Sequence, residues 1–269
     1  IEMENGVDIS NTSLSLPTTG TTNWYEISIG DVDGDNYPDL LIGANSGGST
    51  NSRLMKNGGS GASITFSEVW NTSIGTYLHG SILVDWDLDG YLDVILAGTR
   101  ASDHTSSVTY WLYGYKSNSG TISSTRTFNT SLGTSTGNNP KGLVSADLSG
   151  DLYPELVLSL FNGSTMVITN LRNATTPFTA DLTSASEANT RVICSGSCQS
   201  QNPRVADING DGLFDILLGA DSNSGYSKSH VYIHNGILGS NSTIPTFSRI
   251  KTIDIEGHDD FSVGDLDGN

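Results

Sequence analysis

The chain has 269 residues, 35% of them hydrophobic, which is enough to bury a core as one large domain or two small ones. Its formal charge of −17, with only 12 Lys and Arg, excludes a nucleic-acid ligand, because phosphates would meet no matching positive surface. No run of about 18 apolar residues crosses a membrane as a helix, and 31 glycines against seven prolines suit short strands joined by many turns.

In chain order, residues 6–22 come first and contain NTSL, a phrase that returns at 129–132. A short apolar lead-in at 26–29 then enters an acidic loop, GDVDGDNYPDLLIGA from Gly30, whose end is the apolar run 40–42. A more alternating segment at 52–56 and a segment carrying Phe66 complete the unit. The same grammar recurs with 81–84, VDWDLDGYLDVILAGT from Val84, 108–115 and Phe128. It recurs again with ADLSGDLYPELVLSL from Ala146, 165–170 and Phe178. The fourth unit has ADINGDGLFDILLGA from Ala206, 230–234 and Phe247, and a fifth begins as GDLDGN at Gly264.

The leading acids, Asp31, Asp85, Asp147, Asp207 and Asp265, are spaced by 54, 62, 60 and 58 residues. A period of that length fits one small sheet per repeat. Unbroken apolar runs read as strands buried on both faces, and alternating segments as strands with one wetter face. Four strands per repeat, the inner ones most apolar, predict an all-β fold, a β-propeller of four-stranded antiparallel blades. A stack of separate β-sandwich modules is disfavoured, because about 58 residues is thin for an independent core. The whole of 1–269 then reads as a single, incomplete propeller. Residues 1–22 are expected to form the outer strand of a preceding or closing blade, followed by blades at 23–77, 78–137, 138–199 and 200–258, and the start of another at 259–269.

Sixteen of the 29 acidic residues sit in the five loops. Packed so closely, they repel unless cations join them. The expected ligands occupy positions 1, 3, 5 and 9, with a backbone carbonyl at 7. The first loop offers Asp31, Asp33, Asp35, Tyr37 and Asp39, and the second Asp85, Asp87, Asp89, Tyr91 and Asp93. The third offers Asp147, Ser149, Asp151, Tyr153 and Glu155, and the fourth Asp207, Asn209, Asp211, Leu213 and Asp215. The fifth begins with Asp265, Asp267 and Asn269. Alternate oxygens converging in a tight curl give the six to eight hard ligands that Ca²⁺ requires. The absence of sulfur and imidazole in these loops weighs against zinc and copper. Position 6 needs a residue tolerant of positive φ, supplied by Asn36, Gly90 and Gly212, whereas Leu152 makes the third loop the weakest or an empty site. Five Ca²⁺ would reduce the charge from −17 to −7. Position 12, the bidentate Glu of an EF-hand, is Ile42, Leu96, Leu158 or Leu218, so the loops are not EF-hands.

The only cysteines, Cys194 and Cys198, lie in an excess of about ten residues between Phe178 and Asp207 and are expected to form a disulfide that shapes a protruding loop. Sequons at Asn11, Asn71, Asn129, Asn162, Asn173 and Asn241 point to a secreted or cell-surface glycoprotein, with glycans on blade edges.

The phrase ISIGDVDGDNYPDLLIGA resembles the FG-GAP repeat of integrin α-subunit heads and the related VCBS repeats of microbial surface proteins. The resemblance extends over the repeats of essentially the whole chain. It implies a propeller, in that family usually of seven blades, of which this chain would supply about four and a half, with Ca²⁺ held in loops on one face. The motif's terminal Gly-Ala is kept at Gly43 and Ala44 and at Gly219 and Ala220, but is replaced at Ala97 and Gly98 and at Ser159 and Leu160, and its Phe-Gly opening is missing.

The expected function is a non-catalytic, extracellular adhesion, protein-interaction or surface and filament scaffold module. Its partner would be a protein or glycan at the cell surface, or copies of itself in a surface assembly. The alternatives are a lectin propeller, or an accessory propeller of a larger secreted enzyme. Trp24, Trp70, Trp86 and Trp111 could stack on sugars but share no register, which lowers the lectin reading. HExxH, GxxxxGK[ST] and GxGxxG are missing, and His79, His104, His230, His234 and His258 share no register either, so no enzyme is expected.

Overall fold

Short aliphatic runs bounded by acidic and Gly-rich turns cannot reach helical length, and they pair locally instead. The computed structural model describes residues 23–45, 51–59, 65–72, 78–99, 108–125, 128–135, 140–160, 164–169, 190–194, 200–220, 229–236, 245–253 and 262–264. Among them are 18 strands and no helix. Sheet 1 contains β1 (Asn23–Gly30), β2 (Asp39–Asn45), β3 (Ser52–Asn57) and β4 (Phe66–Thr72). β5 (Leu78–Val84), β6 (Asp93–Thr99) and β7 (Val108–Tyr115) open sheet 2. A small hairpin, β8 (Ser117–Asn118) with β9 (Thr121–Ile122), precedes its outer strand, β10 (Phe128–Ser135). Sheet 3 has β11 (Pro140–Ala146), β12 (Glu155–Leu160), β13 (Thr165–Ile168) and β14 (Thr190–Cys194). Sheet 4 has β15 (Ser200–Ala206), β16 (Asp215–Ala220), β17 (Ser229–His234) and β18 (Phe247–Ile253). Each of the four is an antiparallel meander with strands in chain order.

The first strand of each sheet packs on its neighbours: β5 lies against β1 and β2, β11 against β5 and β6, and β15 against β11 and β12. Successive side chains of a strand point to opposite faces, so each second strand feeds two cores. Val94 and Leu96 enter the core shared by sheets 1 and 2, with Leu41, Leu54 and Tyr113. Ile95 and Ala97 enter the core shared by sheets 2 and 3, with Leu143, Leu156 and Leu158. Val157 then joins Ile216 and Leu218 between sheets 3 and 4. Burial of each such aliphatic side chain stabilises by about 1.5–3 kcal/mol. The first strands approach so closely that a Cβ on Gly80 would lie 2.7 Å from the Leu143 Cβ, and one on Gly142 would lie 2.6 Å from the Pro203 Cδ.

Side chains also tie sheets directly. The backbone N–H of Ser81 donates to Glu26 Oε2 at 2.7 Å, that of Leu83 to Ser28 Oγ at 3.0 Å, and Trp70 Nε1 to the Ser123 carbonyl at 3.0 Å.

One expectation is corrected. The outer strand of sheet 3 is Thr190–Cys194, not a segment at Phe178, and Cys194 pairs with Thr165 of β13. An edge strand needs an alternating, β-branched pattern, which TRVIC supplies, and a phenylalanine is not a requirement. Cys194 therefore ends a strand and does not sit within a protruding loop. Phe178, Cys198, residues 1–22 and the fifth acidic loop lie outside the described residues. No helix among the described residues is long and apolar enough to cross a membrane.

Candidate metal centre

Each of the four described acidic loops joins the first and second strands of its sheet. The curl begins with the position-1 aspartate, which gathers backbone donors from the residues ahead of it. Asp31 Oδ1 accepts from the N–H groups of Gly34 and Asp35, and Oδ2 from Asn36, at 2.8, 3.1 and 2.8 Å. Asp147 does the same with Gly150, Asp151 and Leu152 at 2.8, 3.0 and 2.8 Å. Asp207 repeats it with Gly210, Asp211 and Gly212 at 2.7, 3.1 and 2.8 Å. In the second loop Asp85 accepts from Asp89 and Gly90. The position-5 aspartate then takes the N–H of position 7, from Tyr37, Tyr91, Tyr153 and Leu213 in turn.

Two left-handed residues make this curl, at positions 4 and 6. Position 6 is Asn36, Gly90, Leu152 or Gly212, with φ of 67°, 92°, 78° and 84°. Position 4, which the sequence reading did not single out, is Gly34, Leu88, Gly150 or Gly210, with φ of 77°, 57°, 73° and 76°. The third loop thus adopts the common shape although Leu152 carries a Cβ into the left-handed region, with its side chain 78% exposed.

Position 9 has a task beyond any ligand role. Asp39 Oδ2 accepts from Val32 N–H and Oδ1 from Asn57 N–H, at 3.0 and 2.9 Å. Asp93 takes Trp86 and Ser117 at 3.0 and 2.7 Å, and Asp215 takes Ile208 and His234 at 2.9 and 2.8 Å. Asp39 and Asp215 clamp their loops to the third strand, and Asp93 clamps its loop to β8, just past the third strand. Glu155, one methylene longer, takes Leu148 and Ser149 within its own loop at 2.7 and 3.0 Å. Burial pushes Asp93 up to about 7 against the pull of its two backbone donors, with Asp87 and Asp89 adding to the rise. Burial likewise raises Glu155 to about 7. Asp39 is raised for the same reason.

The expected ligands converge in two loops among the described residues. Oxygens of Asp31, Asp33 and Asp39 lie within 4.8 Å of one another, as do those of Asp85, Asp87 and Asp89. The second cluster fits a metal ion on a further ground. The Asp87 side chain is only 2% exposed, and its Oδ1 is buried without a hydrogen-bond partner. An orphaned carboxylate oxygen beside two other carboxylates is costly to bury unless a cation is at hand. Lysines meet these clusters from the ends of the third strands: Lys56, within β3, bonds Asp33 and Asp35, and Lys116, directly after β7, bonds Asp87 and Asp89. In the fourth loop Asn209 Nδ2 donates to Asp211 Oδ2 at 2.8 Å instead, and this bond and the Leu213 N–H hold Asp211 below the usual carboxylate range.

Asn71 is exposed on outer strand β4, where its amide donates to Glu68 Oε1 at 2.7 Å, and Asn129 lies on outer strand β10. Asn11, Asn162, Asn173 and Asn241 lie outside the described residues, as do Asp265, Asp267, Asn269 and the Cys194–Cys198 pairing. Trp70 and Trp86 are buried in the inter-sheet cores, which removes both as exposed platforms for sugar. His230 and His234 are buried strand residues.

Successive four-stranded antiparallel sheets that share cores with their neighbours, each carrying an acidic loop between its first two strands, are β-propeller blades. Residues 23–66 match the FG-GAP repeat and residues 85–158 the FG-GAP-like repeat, and the chain is an FG-GAP-repeat protein. No curated protein sequence matches it.

Proposed function

We propose that this chain is a calcium-stabilised, extracellular propeller segment that serves as a non-catalytic adhesion, protein-interaction or surface-scaffold module. Its blades correspond to 23–77, 78–137, 138–199 and 200–258. The observation that carries the reading is the second loop, where three carboxylates converge around a buried, orphaned oxygen of Asp87. The ligands are the residues at positions 1, 3 and 5 of each loop with the carbonyl of position 7, and the position-9 carboxylate where its backbone bonds leave a lone pair free. Ca²⁺ suits this all-oxygen set of many ligands better than Mg²⁺, which keeps more of its water. The metal would supply charge neutralisation and cross-linking of the curl. It has no reaction to assist, and FG-GAP repeats are generally non-catalytic.

Extracellular modules bind calcium at about 10⁻⁴–10⁻³ M, so millimolar calcium contributes roughly 0.4–1.4 kcal/mol for each site. Calorimetric titration of the chelator-stripped protein is expected to give several sites in that range, with a melting temperature that rises with calcium. Asp33→Ala and Asp87→Ala should lower the Tm in calcium more than in chelator, and Ser149→Ala should do little in either. A Tm indifferent to chelator, on protein verified to be metal-free, overturns the calcium reading. Labelling of intact cells by a membrane-impermeant amine reagent tests the location. Failure to label, with labelling after lysis, overturns the extracellular one.

A further inference from the structure

The geometry points to Lys56 and Lys116 as built-in counter-cations of the first two loops, which a metal ion must displace in order to bind. This inference rests on the calcium reading and goes beyond it, because it makes the loops unequal for a reason that the ligand positions do not contain.

The two lysines occupy one register. Lys56 follows Met55, which pairs with Leu40, and Lys116 follows Tyr115, which pairs with Val94. Leu40 and Val94 each come directly after the position-9 aspartate. From that register the side chain runs back over the loop. The Lys56 ammonium bonds Asp33 Oδ2 and lies 3.2 Å from Asp35 Oδ2. The Lys116 ammonium bonds Asp87 Oδ2 and lies 2.9 Å from Asp89 Oδ2. These are the carboxylates at positions 3 and 5, so each ammonium sits on oxygens that a bound cation would use. The lysine side chains are 36% and 30% exposed, so each ammonium has a path to water when displaced.

The other two sheets provide an internal comparison. The same register, one residue after Ile168 paired with Leu156 and after Tyr232 paired with Ile216, holds Thr169 in sheet 3 and Ile233 in sheet 4. Neither can supply a positive charge. Loops 1 and 2 are therefore partly neutralised without metal and carry a tethered competitor for it. At that register loops 3 and 4 carry no lysine. An ammonium ion near a dication's position opposes binding by Coulomb repulsion until it swings away. The consequence is a graded response. Loop 4 gains most from calcium, while sheets 1 and 2 keep their loops folded when calcium is scarce.

The test compares the chelator-stripped full-length protein with Lys56→Met/Lys116→Met and, separately, Ile233→Lys, by calcium calorimetry and by melting in chelator and in calcium. Methionine keeps the aliphatic stem and removes the charge. The double variant is expected to bind calcium about ten-fold tighter at two sites, about 1.4 kcal/mol each. It should melt lower than wild type in chelator and recover in calcium. Ile233→Lys should weaken one site by a similar factor. Binding by the double variant where wild type shows none at those sites also supports the inference. If wild type binds and the double variant binds equally or more weakly, the lysines are not competitors, and the calcium reading survives. If no variant binds calcium, the calcium reading falls and the inference with it.

Discussion

His234 Nε2, on the third strand of sheet 4, lies 2.9 Å from the carbonyl oxygen of Leu148, in the acidic loop of sheet 3. The Gly236 N–H donates to Nδ1 at 3.0 Å, so the ring proton is on Nε2 and Nε2 is the donor. The backbone N–H of His234 donates to Asp215, so one residue links the acidic loops of two sheets. His234→Ala leaves a buried carbonyl unsatisfied and a gap beside Phe247, and is expected to cost about 2–4 kcal/mol in urea unfolding. His234→Gln, which keeps a donor, should cost clearly less. Equal losses would show that the ring is there for volume alone.

Positions 3 and 9 of the second loop should separate cleanly. Asp93→Ala strips acceptors from two buried backbone N–H groups and should destabilise by about 2–4 kcal/mol with or without metal. Asp87→Ala should matter chiefly in calcium. Chemical denaturation of both variants in chelator and in calcium checks the contrast, and an Asp93→Ala effect confined to calcium would refute the clamp.

The buried carboxylates make stability depend on pH. Asp93 and Glu155 are raised to about 7 by burial, above unfolded values of about 3.9 and 4.3. Between those limits the folded state holds protons that the unfolded state has released. Their stabilising contribution is therefore fully present below about pH 4 and lost as pH rises through about 7. In chelator, unfolding free energy should fall across that window, and Asp93→Asn should flatten the fall. Calcium favours the ionised carboxylates and should flatten it too. A wild-type slope that Asp93→Asn leaves unchanged would remove Asp93 from the account.

Leu152 and Leu88 hold positive φ at a cost that glycine avoids. Leu152→Gly is expected to raise stability by about 1 kcal/mol, because left-handed backbone costs an L-residue about 1–2 kcal/mol and glycine loses part of that to chain entropy. A lower Tm for Leu152→Gly would mean that the exposed leucine makes a contact worth more than its strain.

Much of this was legible in the sequence because period and alternation carry it. The recurring acid pattern gave the number of sheets, and the unbroken runs at Val94 and Leu156 marked strands that feed cores on both faces. The loops were legible at positions 1, 3 and 5, where residue type alone identifies an oxygen ligand. Position 4 was not, since Leu88 in a glycine's place hides the requirement for positive φ. The second task of Asp39 and Asp93 was hidden for a different reason. It depends on the backbone N–H groups of Asn57 and Ser117, 18 and 24 residues away, brought near only when the third strand pairs. The lysines were invisible for the same cause. The outer strand of sheet 3 was misplaced because an aromatic marker shared by three repeats was extended to a fourth that did not need it.

The residue at position 2 of each loop bears on how such a chain evolves. Val32, Trp86 and Leu148 all point out of their own loops into the seam with the following sheet, and Ile208, after which no described sheet follows, is 40% exposed. They differ greatly in volume, and each seam is packed around the one it receives. The repeats are thus not interchangeable. Exchanging two of them would set the Trp86 indole against a pocket shaped for a valine and leave a void where it had been. The seams write an order into the blades, so the unit on which selection acts is the joint between two repeats and not the repeat itself.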